Sequence, residues 1–392
     1  GVNYFINISK ELSDAHKLSF NVIGAKQTHG QRFNRTTIAG NRATEQGGKR
    51  FNLDWGYRNG QVENSSFNFY HKPQISLNHN WIISDKTFLT TVAYVSYGSG
   101  GGRRLDNSAD GELNIGKAEY RLGGSDQPID FDRIVQDSDL NPDNVENTSK
   151  NEKFFFYDIS TTIYHEFSKK HQLQINFLNV KNNLIYNNTQ NANSFLVPNN
   201  LSQNTIAIST DYHFEENNLE LDAQLFFSKY SQYSTINNLI NGNTNQILNQ
   251  ENLIQENGLK LHGKYQILDQ LNLSFGYQLN EVGITNAEDV VSPSFQRSIK
   301  EVVLTHSLFY ELTYQLDTNK FNGKIGFRNN YFDKFDVFNF EPRISLNYNF
   351  LNDFKLEFLG EMKSQVTSQI IDLPQDFLGV ENKRWILSNN DN

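Results

Sequence analysis

Seven side chains stand where they could hold a ligand: His29, Gln31, Arg32, Trp55, Tyr57, Arg103 and Arg104. All lie in polar stretches between runs of alternating apolar residues, where aromatic faces and fixed donors can converge on a solute. Trp55 leads them, because a flat ring in an exposed segment stacks on sugars and aromatic ligands; the competing reading is that it anchors its own loop. Gly98-Ser99-Gly100-Gly101-Gly102 lacks the Lys-Ser/Thr and following helix that a phosphate cradle needs, and reads as the flexible start of a loop after a strand ending near Tyr97. Asp106 and Asp110 open a run that imitates a calcium loop, with Gly111 at its sixth position. Lys117 occupies the twelfth, where a bidentate Glu is required, so an EF-hand is rejected. What remains is a looser loop site of Asp106 and Asp110 with Asp130, Asp132, Asp137 or Asp139, set against a solvated acidic loop.

Enzymatic chemistry finds no support, and no catalytic residue or cofactor is expected. The nine histidines are scattered, without a His-Glu-x-x-His pair. His165, His262 and His306 fall within strands and read as lumen or interface residues rather than ligands. Cysteine is absent, which removes disulfides, thiolate zinc sites and thiol nucleophiles together. A net charge of −9 without a basic stripe argues against nucleic acid.

The elements that would position the seven residues are strands. Leu219, Leu221, Ala223, Leu225 and Phe227 alternate with Glu220, Asp222, Gln224 and Phe226. The same pattern recurs over 271–280 and 340–350. Period two at this length sets one face in an apolar medium and the other in water. Hydrophobic residues make up 37% of the chain and aromatics 13%, a pairing that fits a barrel in which only every second strand residue meets lipid. No apolar run is long enough for a helical span.

The connections alternate too. Tight polar turns are expected near 13–15, 84–86, 168–170, 215–217, 268–270, 317–319 and 351–353. Long polar loops are expected over about 25–66, 98–153, 185–203, 230–256 and 283–300, with a shorter one near 331–336. Short turns on one rim and long loops on the other is the habit of outer-membrane barrels, and the count gives about fourteen strands, with an incomplete one near Trp385. Trp81, Tyr94, Tyr97, Tyr157, Tyr164, Phe167, Tyr212, Phe214, Tyr265, Tyr314 and Tyr348 are expected in the interfacial girdles.

Several stretches carry a family resemblance. Residues 1–135, with Gly24-Ala25-Lys26-Gln27-Thr28-His29-Gly30-Gln31-Arg32, Asn52-Leu53-Asp54-Trp55-Gly56-Tyr57, Phe69 to His79 and Tyr97 to Gly102, resemble the barrel of TonB-dependent receptors, in particular the carbohydrate-uptake branch. Residues 153–392 resemble a different receptor subgroup, through Glu281 to Asn286, Ile299 to Val303, Glu341 to Leu346, Lys363-Ser364-Gln365, Ile370 to Leu373 and Phe377 to Glu381. That resemblance implies a plugged barrel of about 22 strands. It also implies uptake of a scarce bulky nutrient, driven by an inner-membrane TonB motor that acts through a plug region.

The expected fold is therefore all-β: an antiparallel up-and-down transmembrane β-barrel, with about 14–15 strands of the 22 and unclosed. Residues 1–392 form part of one barrel domain without plug or signal peptide, and two receptor-like segments join within 136–152. The expected function is nutrient uptake across the outer membrane, a glycan before a siderophore, with a surface lipoprotein as a further partner. A passive porin or adhesin barrel without a plug is the alternative.

Overall fold

Period-two alternation becomes extended backbone along most of the chain in the computed structural model. The structure describes residues 1–32, 37–43, 51–104, 118–124, 127–136, 148–188, 197–240, 243–291, 294–316, 320–351, 354–372 and 382–387. The first part holds β1 (Val2–Ser13), β2 (His16–Gly30), α1 (Ile38–Ala43), β3 (Trp55–Arg58), β4 (Gln61–Asn64), β5 (Ser66–His71), β6 (Gln74–Ser84) and β7 (Thr87–Arg104). Then come β8 (Ile129–Asp130), α2 (Phe131–Gln136), β9 (Thr148–Ser168), β10 (His171–Asn188), β11 (Val197–Glu216), β12 (Leu219–Ile240) and β13 (Asn243–Leu268). The last are β14 (Leu271–Val291), β15 (Ser294–Gln315), β16 (Phe321–Phe332), β17 (Val337–Leu351), β18 (Phe354–Glu361), β19 (Thr367–Asp372) and β20 (Asn382–Leu387).

Among the described residues, fifteen strands form a single antiparallel sheet running from β1 to β18 in chain order, with β5 and β6 both lying between β2 and β7. β5 and β6 are two stretches of one pass, split at Lys72-Pro73, because Pro73 has no N–H to offer the ladder. Counting them as one leaves fourteen passes, the number read from the turns. β1 and β18 each have one neighbour, so the sheet is open among the described residues. The expected join at 136–152 lies largely outside those residues. On either side of it β7 and β9 pair from Thr87 to Arg104 without a register shift, so one continuous sheet spans both segments.

The register assigns the two faces. Leu221, Ala223, Leu225 and Phe227 lie opposite Phe214, Tyr212, Thr210 and Ile208, and the same parity collects Leu273, Phe275, Tyr277, Leu312, Ile325 and Ile344. The opposite parity collects Asn, Gln, Ser, Asp, Glu, Lys and Arg, joined into a lattice. Asn176 Nδ2 donates to Ser209 Oγ at 3.1 Å and Asp211 Oδ2 at 2.8 Å, and Thr162 Oγ1 donates to Asn176 Oδ1 at 2.9 Å. A wet lumen on one side and lipid on the other produces this division.

Tight turns fall at Asp14-Ala15, Asp85-Lys86, Lys169-Lys170, Asn217-Asn218 and Asp269-Gln270, within a residue of expectation. The turns expected at 317–319 and 351–353 fall wholly or mainly outside the described residues. The opposite rim corrects the sequence reading. The described residues of the loops expected over 230–256 and 283–300 are strand: β12 and β13 pair as far as Ile240 and Asn243, and β14 and β15 as far as Val291 and Ser294. β13 has 26 residues, whereas a lipid crossing takes about 9–11. Above the lipid the outer face no longer meets an apolar medium, so the apolar alternation ends while the hydrogen-bonded ladder continues. The glycine run likewise stays inside β7, which continues to Arg104 with β5 on one side and β9 on the other.

Two small units sit beside the wall. One joins the segments before β5 and before β9. Its sheet has the order β4-β3-β8, and Phe51, Ile129, Phe131 and Ile134 are buried. Asn59-Gly60, both at positive φ, form the tight turn from β3 to β4 that this dipeptide favours. Gly56 lies parallel to Ile129 at a separation that leaves no room for a side chain: a Cβ would sit 1.8 Å from the Ile129 carbonyl oxygen. The other unit is the hairpin β19–β20, where a single incomplete strand was expected near Trp385. Leu387 is buried with Val282, Ile284, Val303 and Phe332, and Trp385 packs at its margin.

Candidate functional site

The seven residues singled out by type gather at the far end of β2, β5 and β7, on the rim opposite the tight turns. His29 pairs with Asn68 and is exposed, while Arg103 and Arg104 pair through their backbones with Phe67 and Ser66. The Gln31 N–H donates to Ser66 O at 2.9 Å, and Ser66 Oγ donates to the Gln31 side-chain oxygen at 3.1 Å. Asn52 Nδ2 reaches Gln31 O at 3.1 Å, which seats the β3–β4 unit directly above this edge. Arg32 is exposed there.

Trp55 and Tyr57 belong to β3 within that unit. The Trp55 ring is half-buried and makes edge contacts with Phe51 at 6.1 Å and Tyr57 at 5.3 Å. Two of the carboxylates considered for calcium have other employment. Asp130 Oδ1 accepts from the Arg133 N–H at 2.9 Å and caps α2, and Asp132 accepts from the Asn59 N–H at 2.9 and 3.1 Å. Asp106, Asp110, Asp137 and Asp139 lie outside the described residues.

A second feature was not found by sequence reading. The inner face of β13 to β17 and the segment 362–367 enclose a polar cavity of about 370 Å³, lined by Arg328, Arg343 and Lys363 and by Glu256, Gln278 and Glu341 among others. Glu341 is 4% exposed and organises it. Its Oε1 accepts from Asn330 Nδ2 at 2.8 Å, from the Ser364 N–H at 2.8 Å and from Ser364 Oγ at 2.6 Å. Arg343 Nη2 stands 3.5 Å from the other oxygen. Arg328 spends its donors on Asn330 Oδ1 at 2.9 Å, Gln278 Oε1 at 3.0 Å and Ser307 Oγ at 2.8 Å. The sequence signal was available: Arg328, Glu341 and Arg343 occupy the polar parity of strands whose other parity is apolar, and a charge there must face the lumen.

Above this cavity the β19–β20 hairpin lies on the inner wall. Asn286 Nδ2 donates to Trp385 O at 2.7 Å, and the Trp385 N–H donates to Asn286 Oδ1 at 2.8 Å. Tyr230 meets the Trp385 ring edge-on at 6.3 Å. Gln232, Gln250, Asn252 and Ser234 are buried on the same upper stretch of the wall.

The outer face carries the expected girdle with two exceptions. Trp81, Tyr212, Tyr265, Tyr314 and Tyr348 share the apolar parity three to five residues from the tight-turn rim and are exposed, as is Phe167 nearer the turn. Tyr94 and Tyr164 have the other parity: Tyr94 lies opposite Asp158, and Tyr164 lies between Phe88 and Gln174. Strands enrich tyrosine on both faces, and residue type without parity does not separate them.

Neither the family models nor the curated proteins contain a match to this sequence. Solved structures do match. The copper transporter OprC aligns over 98% of this chain and 54% of its own, with 8% identity and a TM-score of 0.57. The ferric enterobactin receptor PfeA from Pseudomonas aeruginosa aligns over 92% and 44%, with 12% identity and a TM-score of 0.51. The siderophore receptor PiuA from Acinetobacter baumannii aligns over 91% and 54%, with 10% identity and a TM-score of 0.51. The chain thus spans about half the length of these proteins. At such identities the likeness concerns the fold alone: a long antiparallel β-wall of the kind these proteins share.

Proposed function

We propose that this chain is part of the wall of a TonB-dependent outer-membrane receptor that captures a bulky polar nutrient without covalent chemistry. The observation that carries the reading is a continuous antiparallel wall with an apolar outer face, a hydrogen-bonded polar inner face and a folded loop unit on one rim. Outer-membrane lipid covers the apolar face, and the loop unit with the rim of β2, β5 and β7 faces the cell exterior. The TonB motor would act through a plug region that packs inside the wall, and a surface lipoprotein could hand over the ligand at the rim.

A glycan is favoured over an anionic iron chelate. The inner face offers amides and hydroxyls in long rows, the donors and acceptors that sugars use. Lys264, Lys324 and Arg343 stand beside Glu220, Glu311 and Glu341, and Asp211, Asp222 and Glu256 add further negative charge, so no positive funnel forms from these residues. The direct test deletes the coding sequence in its source bacterium. Loss of growth on limiting oligosaccharide with ferric siderophore uptake intact supports the reading. Loss of iron uptake with glycan growth intact assigns the receptor to chelates, and no change in either removes the transport proposal.

A further inference from the structure

We propose that the lower inner wall, near the tight-turn rim, holds one divalent transition-metal ion through His213, Glu220 and Asp222. The site follows from register. His213 lies opposite Asp222, and Asp222 lies opposite His262, so β11, β12 and β13 set an imidazole, a carboxylate and a second imidazole in one row. Glu220 is the next residue toward the turn on the same face of β12. One ligand atom from each of His213, Glu220 and Asp222 lies within 4.8 Å of the others. Zinc bonds to nitrogen and oxygen are about 2.0–2.2 Å, so tetrahedral ligands stand about 3.3–3.6 Å apart. Small side-chain rotations close that difference.

The surroundings suit a cation. His213 Nδ1 meets Asp222 Oδ1 at 2.7 Å, and His262 Nδ1 meets Asp222 Oδ2 at 3.3 Å. The second contact is the kind of outer bond that orients a ligating carboxylate. Lys264, 3.4 Å from Glu220, is the competing charge, and its side chain is about half exposed and free to swing into the lumen. His262 stacks on Phe309 at 6.0 Å, which fixes its ring plane. The contrast with other histidines is one of face. His16, His79, His165, His171 and His306 share the apolar parity, where His16 stacks on His79 and Trp81 and His306 meets Tyr277. His213 and His262 share the polar parity at a single level, both on Asp222. An imidazole beside two carboxylates selects zinc-like ions over calcium and magnesium, which take oxygen alone. This inference stands on the wall's own residues and does not require the transport reading.

The test titrates Zn²⁺, with Mg²⁺ as control, into the full chain folded in detergent micelles, followed by calorimetry and by the visible spectrum of bound Co²⁺. The expected result is one equivalent of Zn²⁺, with affinity weakened by about 10–100-fold in His213→Gln and in Asp222→Asn. His306→Gln, on the opposite face, should bind as the unaltered chain does. The Co²⁺ bands of a nitrogen-containing site should vanish in His213→Gln. Equal Zn²⁺ affinity in the unaltered chain and both variants would overturn the proposal, as would Mg²⁺ binding as tightly as Zn²⁺ or no stoichiometric event. Circular dichroism checks that each variant keeps its strands. If His213→Gln loses them, the Co²⁺ spectrum of the unaltered chain decides, because a site of oxygen ligands alone contradicts the assignment.

Discussion

The lower and upper halves of the wall are built from the same strands but held together differently. Below, a strand such as β12 alternates Leu219, Leu221, Ala223, Leu225 and Phe227 outward with Glu220, Asp222 and Gln224 inward. Above, the same strand continues as Lys229, Ser231 and Tyr233 on one parity and Tyr230, Gln232 and Ser234 on the other. There the apolar contacts come from elsewhere: the β19–β20 hairpin on the inner wall and the β3–β4–β8 unit on the rim. The lower half takes its order from the medium outside it, and the upper half from chain segments folded onto it.

This comparison breaks first on charge. Leu225, 60% exposed on the outer face, should tolerate no cation in lipid. Leu225→Arg is expected to destabilise by about 2–4 kcal/mol in lipid bilayers by urea unfolding. Tyr233→Arg, on the same parity eight residues higher, should change stability by less than about 0.5 kcal/mol, as surface substitutions do. Equal losses at both positions would mean that the lipid boundary lies above Tyr233, and the division into halves would fall.

The next test removes what folds onto the wall. Glu341→Ala orphans the Asn330 amide, the Ser364 N–H and the Ser364 hydroxyl, each costing about 1–3 kcal/mol if left buried and unpaired. Segment 362–367 should leave the wall rather than bear that cost, and its amides should exchange faster by hydrogen exchange. The amides of β12 near Leu221 should keep their protection. Protection unchanged at Ser364 would show that the β19–β20 hairpin alone holds the segment. A smaller effect is expected in the rim unit, where Ile134 is fully buried. Ile134→Val should cost about 0.5–1.5 kcal/mol, read as local opening of α2 and β8 rather than as a shift of global unfolding.

Legibility followed the same division. In the lower half the tight turns, the number of passes and most of the girdle could be read from residue order, because a two-sided environment writes its period into the sequence. In the upper half it could not. Residues 230–256 and 283–300 look like loops because the apolar alternation is broken there, yet their described residues are strands, held by pairing that composition does not record. Phe51, Ile129, Phe131 and Ile134 come from two distant segments, and no local pattern announces that they meet. Arg328, Glu341 and His213 were within reach, since each occupies the polar parity of a strand whose other parity is apolar. Reading parity before residue type would have placed them in the lumen.

The smallest effect belongs to the tight-turn rim, outside the lipid. Lys170 donates to Glu216 and holds that carboxyl below the ordinary glutamate range, by hydrogen bond first and by charge second. A carboxyl whose value is lowered in the folded state adds stability above its unfolded value, and loses it as pH falls through the folded one. Both side chains are exposed, however, so water and salt screen the pair. Lys170→Ala should return the Glu216 titration to the ordinary range by NMR while leaving neutral-pH stability unchanged within error. A clear loss of stability would mean that rim charges brace the lower wall, which would give that half a source of order besides the lipid around it.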